Sequence, residues 1–214
     1  YYLTGKEFNI LKENKEQIAE AFNSESGFDL IELGAGDGKK TKILLSYFRE
    51  QNFSFKYMPV DISENVLEHL SASLKKEIPG IEVFPQQGMY KEVLERLSDY
   101  NDRKKVILFL GSNIGNLSQG EAVNFLKKIR SSMSKDDLFF MGADQKKHPK
   151  TILAAYNDSQ GVTAAFNKNL LERINRELDA NFDLDSFLHW PVYDPETGVA
   201  QSFLVSKKEQ TVQI

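Results

Sequence analysis

Residues 29–41 read Asp-Leu-Ile-Glu-Leu-Gly-Ala-Gly-Asp-Gly-Lys-Lys-Thr, and they decide the fold. Ile31 and Leu33 lie in a short apolar run that reads as a buried strand. Three glycines at alternating positions follow, then Lys39-Lys40-Thr41-Lys42, then Ile43, Leu44, Tyr47 and Phe48 at helical spacing. Strand, glycine turn and helix in that order form the first unit of a doubly wound sheet, whose ligands bind where strands end and helices begin. Gly34 and Gly36 lack a Cβ, so the backbone can turn sharply and a ligand can lie against it. A second apolar run, Tyr57 to Val60, ends on Asp61, where a carboxylate can accept hydrogen bonds from both hydroxyls of a ribose.

The type of nucleoside is narrowed by what the glycine loop lacks. The dinucleotide fingerprint needs a small residue three positions after its second glycine; Gly36 is followed there by Lys39. The phosphate loop G-x-x-x-x-G-K-[ST] needs glycine five positions after Gly34, where Lys39 again stands. What survives, Glu32-Leu33-Gly34-x-Gly36-x-Gly38 with an acid closing the next strand, resembles the S-adenosylmethionine site of Rossmann-like methyltransferases. A plain strand-to-helix turn is the alternative.

The 214 residues suffice for one substantial domain, and 41% hydrophobic with 27% charged residues is an ordinary globular composition. A net charge of −4 argues against holding nucleic acid by electrostatics. Without cysteine there is no disulfide framework, thiolate nucleophile or cysteine-ligated metal. His69, His148 and His189 show no ligand spacing and read as surface or packed residues, so no metal is expected. No apolar run reaches membrane-span length and no signal peptide is visible; a cytoplasmic protein without a membrane partner is expected. The first residue is Tyr1 rather than methionine, so the natural start is expected upstream.

Residues 1–23 read as a helical lead-in with Phe8, Ile10, Leu11, Ile18 and Phe22 inward, and 24–214 as a Rossmann-like domain. Ser63 is placed to cap a helix, Ile81 to Pro85 to form the third strand, and 90–98 a helix. Val106 to Leu110 is apolar throughout, as a central parallel strand should be. The loop Gly111 to Leu117 follows it, then a capping box at Ser118 and Glu121, then strand five from Leu138 to Gly142. Residues 145–186 read as a helical insertion contributing to the substrate pocket. Phe187 to Tyr193 and Val199 to Ser206, joined by Asp194-Pro195-Glu196-Thr197-Gly198, read as an antiparallel hairpin that closes the parallel sheet, with the region of Trp190 in the core.

Several motifs together resemble one family. They are Tyr1-Tyr2-x-Thr4, the glycine loop, Pro59-Val60-Asp61-Ile62-Ser63, Phe109-Leu110-Gly111-Ser112-x-Ile114-Gly115-Asn116, and Ala155-Tyr156-Asn157-Asp158 through Gly161 to Asn167. In this arrangement they resemble the histidine-specific methyltransferases of the ergothioneine pathway, over nearly the whole chain. The resemblance implies transfer of methyl groups from S-adenosylmethionine to the α-amino group of L-histidine. It also implies a smaller second domain completed beyond Ile214.

Carried over by position, the resemblance puts Gly34 and Lys40 on the methionine side of the cofactor and Asp61 on its ribose. With Glu32 and Gly36 of the loop, and Gly88, Met89, Tyr90 and Gly111, these are the candidate cofactor contacts. Met89 stands where the family has an acid facing adenine, and Ser202 where it has a hairpin methionine. Gly111, Asn116 and Tyr156 match substrate-holding positions, the last two through the carboxylate; Tyr2, or its neighbour Tyr1, matches a substrate-side tyrosine. The glutamate and serine that read the imidazole in the family would lie past Ile214. Asn116 has a plainer reading as a helix cap, and Tyr156 as packing. Lys39, Lys40 and Lys42 read as a solvated first turn, although cations there oppose the helix dipole. A methyltransferase for another amino acid, amine or protein side chain, and a non-catalytic cofactor-binding module, are the competing functions. No acid–base pair is expected among the residues.

Overall fold

The computed structural model describes residues 2–100 and 102–214, the side chain of Tyr2 excepted. The chain divides into two compact units, Tyr1–Asp144 and Gln145–Ile214.

The first unit is built on five parallel strands: β1 (Phe28–Leu33), β2 (Phe55–Asp61), β3 (Gln86–Gln87), β4 (Lys104–Phe109) and β5 (Leu138–Met141). Their order is β3-β2-β1-β4-β5. Residue 28 of β1 pairs with Phe55 on one side and Lys104 on the other, so the three central strands start level. All six residues of β1 are buried, which explains its lack of apolar–polar alternation. Its side chains still alternate in direction. Phe28 and Leu30 join one core with Leu44, Leu45 and Phe48, while Ile31 and Leu33 join a second core with Val93, Leu94 and Ile107. Six helices supply these layers: α1 (Tyr2–Glu13), α2 (Lys15–Phe22), α3 (Thr41–Glu50), α4 (Glu64–Glu77), α5 (Tyr90–Ser98) and α6 (Gln119–Ser131). Because strand order reverses between β1 and β4, a crevice lies at their carboxyl ends.

The helical lead-in is made of two helices, α1 and α2. They meet at Asn14, whose side-chain amide donates to the Ile10 carbonyl at 2.8 Å. The buried stripe runs through Glu7, Leu11, Ile18 and Phe22 at helical spacing, and Phe8 and Ile10 lie off it and are exposed. The third strand is shorter and later than expected. Val83 makes an isolated bridge to Tyr57, Pro85 has no N–H to offer, and the regular ladder forms only at Gln86 and Gln87.

The second unit contains α7 (Pro149–Tyr156), α8 (Val162–Leu178), β6 (Phe187–Asp194) and β7 (Val199–Ser206). Among the described residues β6 and β7 pair only with each other, so the hairpin forms its own sheet instead of closing the parallel one. Both α7 and α8 contact it. His189 faces inward at 9% exposure; Trp190, one residue on, points the other way opposite Phe203 and is 55% exposed. In the Trp190 region, expected to lie in the core, His189 is the buried residue, and Trp190 itself lies on the opposite face of the pleat. Asn175 bonds the Phe182 backbone through both its amide oxygen (2.7 Å) and its amide nitrogen (2.8 Å), fixing the loop after α8. No helix among the described residues is long and apolar enough to cross a membrane.

Candidate active site

The glycine turn is anchored from below. The Gly34 and Ala35 amides both donate to the Val60 carbonyl of β2, at 2.9 and 3.2 Å. Gly34 sits at φ +76°, and a Cβ there would strike the Tyr90 hydroxyl. Gly36, at φ +54°, would meet nothing within 4 Å, so the turn presents bare backbone to open space.

Asp61, the last residue of β2, is half-buried beside this turn. Its Oδ2 accepts from the Gly36 amide at 3.4 Å and its Oδ1 from the Ser63 amide at 3.0 Å. A carboxylate on the glycine amide occupies the donor a phosphate would need and repels an anion. It leaves acceptor capacity for hydroxyls. Ser63 caps α4 by accepting from the Val66 amide at 3.4 Å. At the next strand end the Gly88 amide donates to the Asp61 carbonyl at 3.1 Å, and Met89 stands 63% exposed. The Tyr90 ring packs against Phe109 and Phe125 at centroid distances of 5.9 Å. Burial, with the Asp61 charge adding to it, pushes its hydroxyl pKa up.

Glu32 lies beneath the turn rather than on its surface. It is 4% exposed, and its oxygens accept from the Thr41 hydroxyl at 2.5 Å and from the Tyr57 hydroxyl. Burial pushes its pKa up from 4.5 to about 7 despite those two donors. In this arrangement Glu32 ties β1 to the first turn of α3.

Across the switch point, β4 ends at Phe109, and Leu110 leads to Gly111 at φ +82°. Ser112 holds a left-handed conformation at φ +57°, and a 3-10 turn follows over Asn113–Asn116. Asn113 donates to the Leu110 carbonyl at 3.0 Å. Ser118 and Glu121 form the capping box of α6, with bonds of 2.9 and 3.4 Å. That leaves no capping task for Asn116, which is exposed and makes no side-chain hydrogen bond among the described residues.

The three lysines of the turn each have a carboxylate. Lys39 pairs with Asp37 at 2.8 Å and Lys42 with Glu77 at 2.8 Å, both on the outer surface, while Lys40 pairs with Glu7. Only Lys40 turns toward the crevice: its Nζ lies 3.4 Å from where a Cβ of Gly111 would stand. Glu7 was not among the residues expected here. The signal that could have found it is an acid four residues before buried Leu11, on the inward stripe of α1.

Tyr1 and the Tyr2 side chain lie outside the described residues. Tyr156 ends α7 in the second unit, half-buried. Asp158 just after it accepts from the Val162 and Thr163 amides, both at 2.8 Å. These bonds, led by those of Thr163, hold its pKa down to about 2. His148 caps α7 by accepting from the Lys150 amide at 3.2 Å, and His189 Nε2 lies 3.4 Å from the Asn167 amide nitrogen.

The sheet order, the glycine turn after β1 and the acid closing β2 define a Rossmann-like fold of the class I methyltransferase type. The profile of the histidine-specific, S-adenosylmethionine-dependent methyltransferases matches residues 1–214, and the chain belongs to that family. It is 33% identical over 214 residues to a histidine N-alpha-methyltransferase of Mycolicibacterium smegmatis, covering 100% of this chain and 65% of that one. It is 35% identical over 189 residues to the protein of that name from Mycobacterium tuberculosis, covering 88% and 57%. The ergothioneine biosynthesis protein 1 of Schizosaccharomyces pombe is 30% identical over 220 residues, covering 99% and 28%. The chain thus spans less than two thirds of the length of these relatives.

Proposed function

We propose that the protein is an S-adenosylmethionine-dependent N-methyltransferase whose acceptor is the α-amino group of L-histidine, acting in the cytoplasm within ergothioneine synthesis. The observation that carries the cofactor is the Asp61 carboxylate held on the Gly36 amide. Family membership and the two mycobacterial relatives support the acceptor.

In this reading Asp61 takes the ribose, the bare backbone from Gly34 to Gly36 lies along the cofactor, and Met89 with the backbone of Gly88 and Tyr90 borders the base. Lys40 and Gly111 line the methionine end. Bound S-adenosylmethionine supplies a methyl group on a sulfonium that is already a good leaving group. The protein's task is alignment of the acceptor nitrogen with that methyl, which can contribute roughly 7–11 kcal/mol. A buried site also favours the uncharged amine that the reaction needs. Gly111, Asn116 and Tyr156, with Tyr2, are the proposed substrate contacts, Asn116 and Tyr156 through the carboxylate. Both are short-reach polar groups that orient without acting as strong bases.

Calorimetric titration with S-adenosylhomocysteine, then with L-histidine on the loaded protein, tests this. Saturable heat in both steps is expected, with no heat from L-leucine at the second. Absence of heat in the first step overturns the cofactor site. Heat in the first and none in the second overturns the assignment of histidine to this chain's residues.

A further inference from the structure

We propose that Glu7 of the N-terminal helix is a positioning residue of the cofactor site: its carboxylate aims the Lys40 ammonium and pins the Gly111 turn at the switch point. The inference rests on reading that crevice as the S-adenosylmethionine site.

Among the described side chains of α1 only Glu7 and Leu11 are buried, and Leu11 belongs to the first core. An acid on a buried stripe is costly unless its charge is matched. The Glu7 carboxylate is matched by one cation and one backbone amide. Both its oxygens accept from the Gly111 amide, at 2.8 and 3.1 Å, and Oε2 also takes the Lys40 ammonium. A Cβ on Gly142, just past β5, would overlap Glu7 Oε1. One carboxylate thus touches the turn after β1 through Lys40, the turn after β4 through Gly111, and the end of β5. Helix packing alone would be served by any apolar residue; contact with three loops of one crevice asks for this carboxylate.

Lys40 needs the help. It stands at the N-terminus of α3, where the helix dipole disfavours a cation, and its four-carbon stem has many rotamers to lose. Lys39 and Lys42 pair with Asp37 and Glu77, whereas Lys40 bonds Glu7, with the charge of buried Glu32 adding a weaker pull. An ammonium has three donors. Glu7 takes one, fixing the direction of the other two.

The test is S-adenosylhomocysteine affinity, measured by calorimetry for the parent chain, E7Q, K40M and E7Q/K40M. Glu7→Gln keeps an oxygen for the Gly111 amide and removes the charge that steers Lys40. E7Q and K40M are each expected to weaken binding about tenfold, and the double variant no more than K40M, because steering acts only through Lys40. A merely structural staple would instead show in the melting temperature, and its effect on binding would multiply with that of K40M. Unchanged or tighter binding by E7Q, or losses that multiply, overturns the role of Glu7 while the parent's affinity leaves the cofactor reading standing. No binding by the parent overturns the cofactor reading itself, and this inference with it. Should E7Q fail to fold, E7D reads the same coupling, since it keeps the charge but withdraws it by one methylene.

Discussion

Glu32→Gln is expected to stabilise the protein above neutral pH and to leave it nearly unchanged near pH 4.5. Glu32 is fully buried, and burial raises its pKa from 4.5 to about 7. Between those values the folded chain holds a proton that the unfolded chain has released, so stability falls as pH rises through the window. The carboxyl's contribution is complete below 4.5 and lost once pH passes about 7. A shift of 7 − 4.5 = 2.5 units, at about 1.36 kcal/mol each, sets an upper bound of about 3 kcal/mol. Glutamine is the neutral isostere of the protonated acid. The hydroxyls of Thr41 and Tyr57 can each donate or accept, so both bonds persist after the substitution. The assay is urea unfolding followed by far-ultraviolet circular dichroism at pH 4.5 and pH 8. The gain of E32Q over the parent should grow from near zero to between 1 and about 3 kcal/mol. A difference independent of pH, or a loss at pH 8, would show that Glu32 folds as a carboxylate and that its two donors outweigh its burial.

Gly34→Ala places a Cβ at φ +76° against the Tyr90 hydroxyl and should cost at least about 1–2 kcal/mol for the backbone alone, together with most cofactor affinity. Gly34→Ala with Tyr90→Phe should recover part of the melting temperature, the backbone cost remaining; no recovery would exonerate the hydroxyl. Asp61→Asn removes a charged acceptor facing the glycine turn and should weaken S-adenosylhomocysteine by roughly ten- to a hundredfold, on the scale of about 1.5–3 kcal/mol for a charge-assisted bond, with melting little changed. Lys105→Met breaks a buried pair with Asp137, 3.3 Å apart at 1% and 3% side-chain exposure, and should cost about 3–5 kcal/mol in urea unfolding. Because Lys105 sits at the start of β4, the far end from the crevice, the folded variant should bind S-adenosylhomocysteine as the parent does.

The parallel sheet was legible because its strands are apolar runs punctuated by glycine, and glycine appears where the backbone turns left-handed: Gly34, Gly36 and Gly111. Ser63 and Ser118 were legible as caps because the bond each makes is local. What was missed depends on partners distant in sequence. Glu32 looked like a ligand contact, but its fate is decided by Tyr57, 25 residues away. Glu7 reaches Gly111 across 104 residues, and no local pattern encodes that. Trp190 and the separate hairpin were missed for a related reason. Hydrophobicity says that a strand wants cover, and the pleat says which residues share a face, but neither says what lies above that face.

The charges around the glycine turn argue together for the kind of ligand. Besides Asp37, which pairs with Lys39 on the outer surface, three acids converge there, and the fold treats each differently. Glu32 is buried, its pKa raised to about 7 by that burial, and its oxygens are taken by two hydroxyls, so its charge is suppressed. Glu7 is matched by Lys40, and the pair is close to neutral as seen from the crevice. Asp61 alone is half-exposed, without a cationic side chain bonded to it, with only backbone amides to offset it. The rim therefore presents a net negative charge beside bare backbone. A triphosphate or a dinucleotide would meet repulsion at the amide where it most needs a donor. A nucleoside bearing a sulfonium and an ammonium meets attraction instead, and its ribose hydroxyls find Asp61 with free acceptor capacity. The residues that disqualify the phosphate-loop readings in the sequence are thus the ones whose side chains set this charge balance. Lys39 displaces the small residue that both motifs require and turns outward to Asp37, leaving Lys40 as the single turn lysine directed to the crevice.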